Sequence, residues 1–130
     1  MDTQVYKLSI PIMHIIDYLQ KYLNWLPESK IEEYTYLLSS IFQQFSMLVD
    51  NNVTPDGRNL LNRAQQNIKH MQRLLNNFSK EEYQKSLEGL STTMKTIHCR
   101  ILTHRKLCKL PQEKDEFHCE YIQLNNNKYI

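Results

Sequence analysis

The sequence predicts an all-α protein: an antiparallel up-down-up-down four-helix bundle with a candidate short fifth helix near its C-terminal end. Three observations carry that prediction. Apolar residues recur at steps of three and four along four segments, the period of one helix face. Helix-start residues stand ahead of three of those segments. The 130 residues include only 2 glycines and 4 prolines, too few for the tight turns of an all-β chain.

The first helix is expected to begin near Pro11, with a kinked extension back through Val5 and Leu8 as the alternative, because an internal proline removes a backbone donor. Its stripe is Ile12, Ile15, Leu19, Leu23 and Leu26. The second follows Ser29, which forms a capping-box pattern with Glu32. It carries Ile31, Tyr34, Leu38, Ile41, Phe45 and Leu48, and Phe42 and Val49 widen its apolar face, as a central helix or a dimer contact would require. The third opens at Thr54 with Pro55 in the first helical position, where a missing N–H costs nothing. Its stripe runs Leu61, Ala64, Ile68, Met71, Leu75, Phe78. The fourth opens at Ser79 with Glu82 three residues on, and carries Tyr83, Leu87, Leu90, Met94, Ile97 and Ile101. Pro111 is expected to end it.

Short links at Pro27–Glu28, Asn51–Val53 and Phe78–Ser79 force antiparallel neighbours. The fifth helix would span Gln112 to Leu124, using Phe117, Tyr121 and Leu124. Residues 1–124 thus read as one domain and 125–130 as a flexible tail.

Bulk properties narrow the class. A chain of this length buries roughly two thirds of its unfolded surface, enough for a core without staples. With 41% hydrophobic and 23% charged residues it is neither disordered nor membrane-like. The net charge of +2 is too small to imply a polyanion partner by itself. The longest apolar run, Ile10 to Ile16, is far short of a membrane span. No basic stretch precedes an apolar one at the start, and the cysteine count is odd. Reduced thiols and a cytoplasmic or nuclear location are therefore expected.

The stretch "HCRILTHRKLCKLPQEKDEFHC", His98 to Cys119, holds all three cysteines and three of the five histidines. On a helical wheel His104 and Cys108 extend the fourth stripe, while Cys99 lies about half a turn out of phase. Cys99 and Cys108 therefore cannot share a metal on an intact helix. A zinc set of His104, Cys108, His118 and Cys119 is conceivable but lacks Cys-x-x-Cys knuckles, and closure of the apolar stripe is the favoured reading. Cys99 has no orienting partner for nucleophilic chemistry. Glu32–Glu33, Glu81–Glu82 and Asp115–Glu116 are adjacent pairs that suit capping and solvation. "TPDGRN" lacks the glycines and the Lys-Ser/Thr of a phosphate loop. No catalytic, cofactor-binding or metal-binding residue is predicted, and no cofactor.

Two surfaces stand out. Tyr18, Tyr22, Trp25 and Tyr36 sit partly off the core stripe of the first two helices, as does Tyr6, and aromatics at the wet edge of a bundle suit a protein partner. Alternatively, Arg63, His70 and Arg73 on the third helix could merge with Lys95, Lys106 and Lys109 on the fourth into a basic face for RNA or DNA.

From Tyr34 to Met94 the pattern is similar to a known helical module; its core is "FSMLVDNNVTPDGRNLLNRAQQNIKHMQRLLNNFSKEEYQKSLEGLSTTM". It resembles the C-terminal domain shared by the steroid receptor RNA activator protein and the outer-coat scaffold subunit of COPII vesicles. The shared features are a helix end, a Thr-Pro start, a Leu/Ile-spaced helix, an aromatic at Tyr83 and a small residue at Gly89. They cover about half the chain. The family's tryptophan- or methionine-bearing closing segment is replaced here by "CRILTHRKLCKLP". The resemblance implies a non-enzymatic interaction bundle linked to transcriptional coactivation or coat assembly. The sequence reading therefore favours a protein-interaction or adaptor module that presents a helix face or groove to another protein, with a homodimer as a variant.

Overall fold

The structure, a computed structural model, describes residues 2–108 together with Phe117, Cys119 and Ile130. Among them are four α-helices and no strand: α1 (Asp2–Tyr22), α2 (Glu28–Val49), α3 (Pro55–Leu74) and α4 (Lys80–Leu107), with a 3₁₀ turn at Leu75–Asn77. Each helix packs against its chain neighbour and α4 closes back on α1, giving the up-down-up-down bundle. The α3–α4 seam is the most extensive and the α2–α3 seam the thinnest. No helix among the described residues is long and apolar enough to cross a membrane.

The caps follow the sequence in two helices of three. Thr54 accepts the Gly57 N–H at 2.9 Å, and Pro55 follows it. The Ser79 hydroxyl accepts from Glu82 N–H. The Ser29 cap is corrected. α2 starts two residues earlier than a Ser29 cap requires, at Glu28, with Pro27 as its N-cap and no side-chain cap. The Pro27 carbonyl takes the N–H groups of Lys30 and Ile31, which leaves Ser29 inside the first turn.

Helix α1 starts nine residues before Pro11 and runs through it. A mid-helix proline costs about 3 kcal/mol. Val5 and Tyr6, both buried, supply the offset, since burying one such apolar side chain contributes roughly 1.5–3 kcal/mol. Tyr6 thus belongs to the core, not to the wet edge.

The stripe of α4 holds, and that of α3 holds from Leu61 to Met71; α3 ends at Leu74, so Leu75 and Phe78 lie beyond it and are half-buried. That of α2 is rotated: Thr35, Phe42 and Val49 are fully enclosed, while Tyr34, Ile41 and Leu48 are half-buried. Thr35 tolerates burial because its hydroxyl donates to the Ile31 carbonyl at 2.6 Å and accepts from the Tyr83 phenol at 2.7 Å. That second bond crosses the bundle diagonally from α4 to α2.

Helix α4 ends at Leu107, before Pro111. The expected fifth helix, apart from Phe117 and Cys119, lies outside the described residues, as do residues 125–129 of the expected tail. Ile130 itself is fully buried: its carbonyl accepts from Thr54 N–H at 2.9 Å, and it lies against Gly57.

Candidate functional site

The aromatic residues singled out above fall on two different seams. Tyr18 of α1 packs on Tyr22 one turn later, ring centroids 4.9 Å apart, and on Tyr34 of α2 at 5.1 Å. Lys21 lies over the Tyr22 ring. Trp25, in the link to α2, is 82% exposed, and Leu37, one turn beyond Tyr34 on the same helix face, is also exposed. His14, Ile15, Tyr18 and Tyr34 line a mostly apolar depression of about 370 Å³. Packing desolvates the Tyr18 phenol and Tyr34 adds to the effect, so its pKa is raised and the ring stays neutral. The result is one continuous aromatic seam along α1 and α2.

Tyr36, two residues from Tyr34, points to the other side of α2. It lines a depression between α2 and α3 with Lys69, Gln72, Arg73 and Asn76. Off-stripe position groups Tyr36 with the other three, but it does not say which neighbour a residue leans toward.

The basic residues do not share one face. Arg63, Arg73, Lys95 and Lys106 are exposed and His70 half-buried, and Lys109 lies outside the described residues. Arg73 belongs to the α2 side of α3. On α4 the side facing α3 is marked by Gly89, where an added Cβ would come within 3.2 Å of the Asn67 side chain, and by Arg100, which pairs with Asp56. Lys95 and Lys106 sit about 100–140° around the helix from those positions.

The His98–Cys119 stretch resolves differently from the sequence expectation. Cys99 and Cys119 are bonded as a disulfide, and Cys108 is the free, exposed thiol. This corrects the expectation of reduced thiols for Cys99 and Cys119. It also breaks the conceivable zinc set, because Cys119 is committed to sulfur; no cluster of metal ligands exists among the described residues. His104 does close the α4 stripe, buried, with Cys108 Sγ 3.5 Å from its Nε2.

Inside the α1–α4 seam lies a polar cluster the sequence did not reveal. Ser9 Oγ donates to the Tyr6 carbonyl at 2.7 Å and lies 2.9 Å from His98 Nδ1. Its one hydrogen is thereby used, so His98 Nδ1–H is the donor in the second bond. The pair is consequently no nucleophile and base: a histidine acting as base must accept the serine proton. His98 also stacks near Tyr6 and meets Phe117 edge-on at 5.2 Å, and Phe117 reaches His14. The buried Arg105 guanidinium lies 4.8 Å over the Tyr6 ring. These contacts lock α1 to the second half of α4.

Comparison with protein-family models, curated proteins and solved structures found no match to this chain. The functional reading therefore rests on the surfaces themselves.

Proposed function

We propose that this protein is a non-enzymatic interaction module, an adaptor bundle that offers the α1–α2 aromatic seam to a helix of another protein. The observation that carries the reading is Trp25, 82% exposed beside the Tyr18–Tyr22–Tyr34 stack. Tryptophan and tyrosine are the residues on which interface energy concentrates, since each buries a large rigid surface and keeps one polar atom for a hydrogen bond. Neighbouring exposed aromatics and the apolar depression at His14 and Ile15 offer the adjoining pockets into which a partner helix sets side chains at three- and four-residue spacing.

Trp25 is the sole tryptophan, so its fluorescence reports this surface directly. Emission typical of water-exposed indole is expected for the dilute protein, with a blue shift when a partner recovered from its own cells is added. The triple variant Tyr18→Ser, Tyr22→Ser, Trp25→Ser should keep the helical circular dichroism and lose that partner. Recovery of the same partners at the same occupancy by the folded triple variant refutes the seam as the interface. A blue shift on concentrating the protein alone would assign the seam to a homodimer instead.

A further inference from the structure

A second surface, on the opposite side of α2, has a different chemistry. Three depressions lie in line between α2 and α3. The first is lined by Tyr36, Lys69, Gln72, Arg73 and Asn76. The second shares Lys69 and Gln72 with it and has Phe42 and Ile68 in its floor. The third shares Gln43 and Gln65 with the second and ends at Met47 and Asp50. Shared linings make them one groove. From Tyr36 to Asp50 it runs about 20 Å at 1.5 Å per residue, the length of a partner helix of roughly four turns.

An exposed apolar side chain stands at each end of the groove: Tyr36 at 53% and Met47 at 72% exposure. Gln43, Gln65 and Gln72 line its course with amides that both donate and accept. Its charge is one-sided. Asp50 is already neutralised by Arg58, whose guanidinium holds both its carboxylate at 2.8 Å and its carbonyl at 3.0 Å. Lys69 and Arg73 have no ion-pair partner among the described residues. One end therefore presents two uncommitted cations with Tyr36, Gln72 and Asn76 donors around them, and no carboxylate.

We propose that the α2–α3 groove docks an acidic amphipathic helix from a second protein partner. Apolar residues of that helix cover Met47 and Tyr36, and its carboxylates lie at Lys69 and Arg73. Charge complementarity identifies the occupant: a second copy of this groove would bring Lys69 and Arg73 against like charges or against the neutralised Asp50. The surface is independent of the aromatic seam, so the chain would bridge two partners from the two sides of α2.

The test uses the full chain and a labelled sixteen-residue helical peptide with leucines at three- and four-residue spacing and glutamates in its last two turns. Fluorescence anisotropy is expected to give a saturable isotherm below about 1 mM, and the peptide with glutamine for glutamate should bind about tenfold more weakly. The double variant Lys69→Glu, Arg73→Glu should lose a similar factor toward the acidic peptide and gain affinity for a lysine-for-glutamate version, which also shows that it is folded. Trp25 emission should stay unchanged throughout. Absence of saturable binding, equal affinity for the glutamate and glutamine peptides, or indifference to the double variant overturns the proposal. A Trp25 blue shift on peptide addition also overturns it, by moving the peptide to the aromatic seam.

Discussion

Replacing Tyr83 by phenylalanine should make the bundle less stable at neutral pH and, relative to the native protein, less sensitive to alkali. The phenol is fully buried, and its hydroxyl donates to Thr35 across the bundle. Removing it leaves no stranded donor, because the Thr35 hydrogen still goes to the Ile31 carbonyl. The loss at pH 7 should therefore be that of one net hydrogen bond, about 1 kcal/mol. The alkaline side follows from proton linkage. Burial pushes the phenol up to about 12, whereas in the unfolded chain it titrates near its ordinary value of 10.0. The folded state thus holds the proton more tightly than the unfolded state. This contribution is complete below pH 10 and is lost as pH rises from 10 through 12. At pH 11 the native protein should have lost about 1.4 kcal/mol through this group alone, and the phenylalanine variant none of it. Other titrating groups cancel in the difference between the two proteins. Denaturant melts at pH 7, 10 and 11 should show the stability gap closing or reversing. A constant gap across that range refutes the buried, proton-retaining tyrosine.

Other perturbations have equally definite outcomes. Native protein should show a single reactive thiol, Cys108, by thiol titration, and three after reduction; three thiols without reductant would contradict the Cys99–Cys119 bond. Opening that 20-residue loop should lower stability by about 3 kcal/mol in matched melts with and without reductant. Gly57→Ala puts a methyl 2.6 Å from the Ile130 backbone, so Ile130 must leave its site, at about 1–3 kcal/mol in denaturant melts. Gly89→Ala meets only the mobile end of the Asn67 amide at 3.2 Å; helix propensity should leave it neutral or up to about 1 kcal/mol more stable in the same melts.

Helix number, order and antiparallel packing were readable from residues alone, because Thr54–Pro55 and Ser79–Glu82 announce starts by local hydrogen bonding and the stripes of α4 and of α3 as far as Met71 are unbroken. Pro11 set the favoured start of α1 too late, and the helix follows the alternative, the extension back through Val5 and Leu8. A local rule against internal proline was overridden by tertiary burial of Val5 and Tyr6. The rotated stripe of α2 escaped because Thr35 counts as polar until Tyr83 arrives from a distant helix to satisfy it. Exposure of Tyr18, Tyr22 and Trp25 was visible as departure from the stripe, but the separation of Tyr36 from them needed the actual order of helices around the ring. The disulfide could not be foreseen. A wheel excludes Cys99 with Cys108, but no periodicity traces the path that brings Cys119 to α4. His98 and Arg105 stayed hidden for a related reason: counting greasy side chains finds a core and misses the polar contacts within it.

The Ser9–His98 bond spans 89 positions of the chain. At a synthesis rate of roughly 5–20 residues per second, the first helix emerges on the order of five to twenty seconds before the part of the fourth that covers it. During that interval Val5, Ile12, Met13 and Ile16 have no final lodging, and α2 alone can shelter one flank. Newborn chains of this protein therefore carry an uncovered apolar face on α1 until α4 has been made.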